Sequence, residues 1–382
     1  EYGVATIPFP IPRDQYAHCM ELLEALEIGD AVKADCKVEK IDSFYTVLKR
    51  TELLTVNVGE LNYLAKRLDS FDDGEAAQFQ AMAHKLELFE LKDLINLTFC
   101  CQQATVITDF SDLAAVGRNH YMNLHGGSAS VDELNKLNGE ETARQLIENG
   151  SGTITPYGVV YDNGMKLEQV YDGRFFPCYY YEPNAITVAV TSKSEPEDTN
   201  HITWLFLPMF QEEIDRALLR GGITDPTDVR LRLEDSQLPN EVDILLDMEY
   251  ETLSDLNELA EVTDGLSNAD MEKLGAVVML AKPKSAAQIK NLAESLDLFD
   301  LAPGAHTPQE YGKYMIQQSG RFEYDENLDA FYDYEKYGTE RMNEEDGMFT
   351  DRGYIAYKGY YSMEEAMNGG QSSHMEMGGL SR

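Results

Sequence analysis

The chain is short of positive charge. Its 382 residues hold 31 Lys and Arg against 68 Asp and Glu, a formal net charge of −37. Direct binding to nucleic-acid phosphates through a basic patch is therefore excluded, and docking on an anionic membrane surface is disfavoured. Long apolar runs are missing as well. No stretch approaches 18 consecutive apolar residues, so no transmembrane helix is expected. The opening EYGVATIPFPIPRDQY has neither a basic n-region nor a long apolar h-region, and is not expected to be a signal peptide. Position 1 is Glu rather than Met, so a missing or processed natural start is expected. Cysteine is scarce: Cys19, Cys36, Cys100, Cys101 and Cys178. An odd number without a CxxC motif reads as reduced thiols of a cytoplasmic protein. Cys100 and Cys101 follow an apolar helical stretch and read as small buried hydrophobes.

Motifs that carry chemistry are also absent. The histidines, His18, His84, His120, His125, His201, His306 and His374, form no HExxH and pair with no cysteine at zinc-site spacing. His120 and His125 read as helix-end or loop residues. TDPTD and YDENLD lack the central Gly and closing Glu of a calcium loop. There is no GxGxxG after a strand, no GxxxxGK[ST] and no GxSxG. No metal and no cofactor is expected, and the chain does not read as an enzyme. An acidic carboxylate-dependent hydrolase remains the alternative from another class. Paired acids cannot argue for it, because 68 acids bring some pair to acid–base distance by accident. Such an enzyme needs two carboxylates with separated pKa values in a pocket.

What is present is enough apolar material for a core. The chain is 43% hydrophobic and 10% aromatic, which is globular composition, and its length predicts two to four domains. It also repeats itself. A shift of 195 residues lays LNYLAKRLD at Leu61–Asp69 on LNELAEVTD at Leu256–Asp264. The same shift pairs Asn96-Leu97 with Asn291-Leu292 and Gly117 with Gly312, and lays Gly152, Gly158 and Gly164 on Gly347, Gly353 and Gly359. That period is too long for a solenoid and implies two copies of one multi-part unit. Residues 1–195 carry 16 bases and 30 acids, net −14; residues 196–382 carry 15 bases and 38 acids, net −23.

Each unit reads as mixed α and β. In the second, Ala185–Ser192 and His201–Pro208 form a predicted hairpin, followed by a helix over Phe210–Gly222 and a half-buried strand over Asp228–Asp235. Helices are predicted over Thr252–Leu266 with Ser254 as cap, Asn268–Ala281, Ser285–Leu296 and Thr307–Gly320. One further helix is predicted across 323–342, then a strand at GYIAYKG. In the first unit helices are predicted over Asp14–Leu26, Val58–Leu68, Glu75–Leu86, Leu91–Cys101 and Ser111–Asn123. The expected fold class is α+β: an elongated multi-domain chain of two tandem copies, each a small sheet plus a helical bundle. The expected domains are 1–170, an aromatic and Pro-rich bridge at 171–184, the second copy at 185–366 and a disordered Gly/Ser-rich tail at 367–382.

The acids are unevenly placed. From Glu241 to Asp264 there are nine acids and no base. Asp255, Glu258 and Glu261 step by three, so they share one helix face while Leu256 and Leu259 face the core. Neighbouring like charges repel, so stability alone would interleave lysine. A second cluster is EYDENLDAFYDYE, Glu323–Glu335. Two readings stand: the solvated surface of a halophilic structural protein, or imitation of a nucleic-acid backbone. At the duplex density of one charge per about 1.7 Å, the net charge would span roughly 60 Å.

The second unit resembles the ArdA antirestriction proteins. The resemblance is carried by HITWLFLPMFQEEIDRAL, ITDPTDVRLRLEDSQLP, LSDLNELAEVTDGLSNADMEKLGAVV and EYGKYMIQQSGRFEYDENLDAFYDYEKYGTERM with GYIAY beyond it. It covers roughly residues 185–366, and 9–165 more weakly through the repeat. It implies an acidic, elongated protein that mimics bent duplex DNA and occupies the DNA site of a type I restriction–modification enzyme, facing its specificity and methyltransferase subunits. It also implies a homodimer, a bacterial host cytoplasm and a mobile genetic element as carrier. Family members are about half this length, and the first copy here is less acidic, with DLINLTFCCQQATVITDFSDLAAVG in place of an acidic stretch. A DNA-mimic inhibitor of another defence system, such as a CRISPR effector, is the alternative within the same class. The expected phosphate surrogates are Asp225, Asp228, Glu234, Asp235, Glu241, Asp243, Asp247, Glu249, Glu251, Asp255, Glu258, Glu261, Asp264 and Asp270, with Glu323, Asp325, Glu326, Asp329, Asp333 and Glu335.

Overall fold

The computed structural model describes residues 4–179, 183–195 and 201–370. The expected tail falls mostly at 371–382, outside the described residues. The chain divides into two compact units. One is Glu1–Tyr181 with Asp198–Thr203 and Phe210–Pro226; the other is Glu182–Glu197 with Trp204–Met209 and Thr227–Arg382.

In the first unit the helices are α1 (Tyr16–Ala25), α2 (Val58–Asp69), α3 (Asp73–Lys85), α4 (Leu91–Leu97), α5 (Leu113–Leu124), α6 (Val131–Lys136), α7 (Gly139–Asn149) and α8 (Gln211–Arg220). The strands are β1 (Cys36–Lys37), β2 (Thr55–Val56), β3 (Thr105–Ile107), β4 (Thr153–Thr155) and β5 (Gly158–Tyr161). β1 and β2 pair antiparallel, and β3, β5 and β4 form a three-stranded antiparallel sheet in that order. The core gathers Leu64, Phe79, Met82, Ile95, Leu97 and Cys101, all fully buried, around α2–α4. Tyr171, which the sequence placed in a bridge between copies, sits in this core. Its backbone N–H and carbonyl bond the Asn96 side chain at 2.7 and 3.0 Å, and its hydroxyl donates to Glu60 at 2.7 Å. An aromatic ring gains more by burial than by spanning solvent. All five cysteines are free; Cys100 and Cys101 are buried.

In the second unit the strands are β6 (Ile186–Ser192), β7 (Thr203–Leu207), β8 (Val229–Ser236), β9 (Phe299–Pro303), β10 (Asp346–Thr350) and β11 (Gly353–Tyr357). They make two small sheets, β7-β6-β8 and β10-β11-β9. The helices are α9 (Asn240–Leu245), α10 (Leu253–Asp264), α11 (Asn268–Ala281), α12 (Ala286–Glu294), α13 (Pro308–Gln317), α14 (Tyr334–Glu344) and α15 (Met363–Met367). Thr307 caps α13 and Pro308 opens it, as Pro at a first helical position should. The sequence chose the wrong cap for α10: Thr252 accepts the Asp255 N–H, and Ser254 lies inside the helix. The single helix expected at 323–342 is broken. A 3-10 turn, Glu326–Phe331, precedes α14, because Asp333 leaves the helix to cap it and accepts the Lys336 N–H. Small antiparallel sheets beside separate helices make the fold α+β.

Several elements start 195 residues apart: α2 and α10, α3 and α11, α4 and α12, α5 and α13, α7 and α14, β5 and β11. Side chains follow the same spacing. Asn62 Oδ1 accepts the Ile11 N–H at 2.8 Å in one unit, and Asn257 Oδ1 accepts the Met209 N–H at 2.8 Å in the other. Gly117 and Gly312 both lie where helices touch. A Cβ on Gly117 would stand 1.9 Å from the Gly139 carbonyl oxygen, and one on Gly312 would stand 2.0 Å from the Tyr334 carbonyl oxygen.

Candidate functional site

The acids of the second unit are held by its helices. On α10 the inner residues Leu256 and Leu259 are fully buried, which fixes the outer face. Glu258, Glu261 and Asp264 are exposed and Asp255 is half-buried, and at 3.6 residues per turn the series winds around the helix rather than sharing a single face. Thr252 donates its hydroxyl to Asp255 at 2.7 Å. Ser267 does the same for Asp270 at 2.7 Å at the start of α11. Carboxylates in a first helical turn meet the positive end of the helix dipole. Part of the acid excess therefore stabilises helices and needs no partner base.

Cations reach some of these acids from elsewhere in the unit. Lys290 of α12 pairs with Glu258 at 2.9 Å, and this bond raises the lysine pKa. Arg352, in the β10–β11 turn, holds Glu241 through two bonds of 2.8 Å and also bonds Glu272. The Glu241 carboxyl is held below its usual range by that guanidinium. Neither partner was read from sequence, since both lie more than 30 residues from the acids they meet. A base-free stretch of sequence does not reveal which bases fold back onto it.

The remaining expected residues divide by exposure. Asp247 and Glu249 are exposed in the α9–α10 loop, Asp235 is exposed at the end of β8, and Glu234 there bonds Arg232. Asp228 is half-buried; bonds from the Ser192 and Ser194 hydroxyls keep its pKa low. Asp225 is exposed and belongs to the segment grouped with the first unit. Glu323, Asp325, Glu326, Asp333 and Glu335 are exposed between and along α13 and α14. Asp329 is exposed too. It gathers Gln317 at 2.9 Å and the hydroxyls of Tyr324 and Tyr334, which depress its pKa.

Two expected residues depart from a solvent-facing role. Burial raises the Asp243 pKa. Glu251 is buried, with both oxygens on the Ala286 N–H at the start of α12, 3.1 and 3.0 Å away. A helix start needs an acceptor for such an orphan donor, and this structural task takes Glu251 off the surface. Burial raises its pKa, so the fold prefers the neutral form. Its stability contribution is largest at low pH and falls as pH rises through that raised pKa. Glu251→Gln keeps an acceptor and loses the buried charge, so the melting temperature should hold or rise at neutral pH. Glu251→Ala leaves the N–H unbonded and should cost about 1–3 kcal/mol. Calorimetry of the two variants checks the contrast.

No group of side chains among the described residues could hold a metal ion. His120 in the first unit bonds Thr105 at 2.9 Å, and burial lowers its pKa. No helix among the described residues is long and apolar enough to cross a membrane. No curated protein matches the chain. Residues 199–356, which include α10 and the acids of both clusters, match the family model of the antirestriction protein ArdA, the family the sequence resembles, and the match supports an antirestriction role.

Proposed function

We propose that the second unit imitates bent duplex DNA and occupies the DNA-binding site of a type I restriction–modification enzyme in a bacterial cytoplasm. Its carboxylates would face Lys and Arg of the specificity and methyltransferase subunits. The observation that carries this reading is the outer side of α10, where Glu258, Glu261 and Asp264 stand exposed on a helix anchored by fully buried leucines. Successive members of the i, i+3 series rise about 4.5 Å along the axis and turn about 60° around it, which sets the charges on a stiff, twisting rail. Fixed negative charge attracts a basic groove from a distance and is weakened by salt. Inhibition should therefore be competitive with duplex DNA and fade steeply with ionic strength. Non-competitive inhibition that is indifferent to salt would reject mimicry.

We infer further that the chain is a tandem duplication that does in one polypeptide what the family does with a dimer. The 195-residue spacing of six pairs of element starts supports this. So does the recurrence of Asn62 and Asn257 in the same role, and of Asn96 and Asn291, each bonding a carbonyl in the segment that closes its unit. Light scattering after size exclusion should give a monomer of 43.0 kDa. Twice that mass would favour a homodimer of tandem chains.

A further inference from the structure

A mimic built only for charge would have no use for Arg352. It neutralises Glu241 at one end of an acid run that contains no base of its own. Yet the unit accommodates this arginine closely. Its Nε and Nη2 take both Glu241 oxygens at 2.8 Å, and Nη1 bonds Glu272 of α11. Such a two-pronged contact fixes direction as well as distance. The α11 backbone is notched for it: a Cβ on Gly275 would lie 2.4 Å from Arg352 Nε. The turn beneath is braced by Thr350, which accepts the Arg352 N–H at 3.2 Å and donates to the Gly353 carbonyl at 2.9 Å.

The first unit has the same brace with a neutral contact. Thr155 accepts the Tyr157 N–H at 3.1 Å and donates to the Gly158 carbonyl at 2.8 Å. Tyr157, 195 residues before Arg352, meets the Thr46 hydroxyl at 2.9 Å, and Thr46 stands 195 residues before Glu241. A hydroxyl pair thus suffices to tie this turn to the segment ahead of the LNxLA helix. The second unit makes the tie with a forked ion pair and adds α11 to it.

We propose that Arg352 is a positioning residue for the acidic surface, clamping α9 to α11 and the β10–β11 turn so that the acids from Asp247 to Asp264 meet their target in a fixed arrangement. This rests on the DNA-mimic reading. It predicts that removing a positive charge from the inhibitor weakens it. Long-range charge governs association, whereas short-range fit governs dissociation. In Arg352→Met, association with a type I restriction–modification enzyme should stay equal or become faster, because the protein is one unit more negative. Dissociation should become roughly tenfold faster, since interface changes act mainly there. Amide exchange in α9 should rise in the same variant. A merely unfolded fraction would lower the active concentration and leave the dissociation rate of bound molecules unchanged.

Arg352→Lys keeps the charge without the fork, and decides the matter if the methionine variant does not fold. Faster dissociation at unchanged association supports the clamp; wild-type dissociation overturns it. Wild-type protein that neither binds the enzyme nor competes with DNA overturns the mimic reading and the clamp's purpose together, and does so before any variant is made.

Discussion

Neutralising the α10 rail, with Asp255→Asn, Glu258→Gln, Glu261→Gln and Asp264→Asn combined, should, on the proposed mimicry, cost the chain two to three orders of magnitude in affinity for a restriction–modification enzyme while leaving it folded. The size follows from the electrostatics of a phosphate-like contact. On DNA each such contact shifts the logarithm of the binding constant by about 0.9 per decade of salt, so four contacts at physiological ionic strength are worth on the order of 10³. A protein surface condenses fewer counterions than a duplex, which brings the expectation nearer 10². Folding should survive because none of the four side chains is buried. Asn at 255 still receives the Thr252 hydroxyl, and the exposed Glu258–Lys290 pair is worth under about 1 kcal/mol. Relief of like-charge repulsion along the helix adds a few tenths in the stabilising direction. The control removes the same charge from the first unit, at the exposed Asp132, Glu140, Glu148 and Glu168. If net charge alone governs inhibition, the two quadruple variants will lose equally, and the rail has no special role. If the rail carries the contact, titration against a restriction–modification enzyme will separate them by at least tenfold.

The parts of this molecule that were legible in the sequence are those governed by local periodicity. Leu256 and Leu259 bury because they recur at helical spacing, and Glu258 between them faces out for the same reason. The α13 start was legible because Thr307 and Pro308 are a strong local signal. Legibility ended where a residue's role depends on something distant. Glu251 looked like one more acid in a run of nine, but the Ala286 N–H lies 35 residues away and draws it inside. Tyr171 looked like a member of an aromatic, Pro-rich bridge, and the amide of Asn96 holds it in a core. Arg352 and Lys290 carried no signal at all. The acid excess also had a local cause that charge counting hid. Asp255, Asp270, Asp325 and Asp333 each sit at a helix start, where a carboxylate is favoured whatever the protein does.

The second large effect concerns the acids beyond α13. Glu323 to Asp333 hang between α13 and α14, and their placement depends on how closely those helices meet. The contact is closed by glycine on both sides: a Cβ on Gly312 would stand 2.0 Å from the Tyr334 carbonyl oxygen, and one on Gly338 would stand 1.9 Å from that of Pro308. No flexible side chain is available to yield, so Gly312→Ala must push the helices apart. Forced overpacking costs typically 1–3 kcal/mol, and backbone against backbone belongs at the upper end, about 3 kcal/mol. The first unit offers a matched variant. Gly117→Ala drives a Cβ to 1.9 Å from the Gly139 carbonyl oxygen between α5 and α7, and should destabilise by a similar amount. The link between those helices is less acidic, with Asp132 and Glu133 as its only carboxylates between His125 and Asn138. Assayed at a temperature where both variants remain folded, Gly312→Ala should therefore weaken inhibition several-fold more than Gly117→Ala. Equal loss in the two would mean that unfolding alone is being read, and that the acids of the α13–α14 link contribute nothing to the contact. A loss confined to Gly117→Ala would move the inhibitory surface to the first unit, against the charge distribution that separates the two halves.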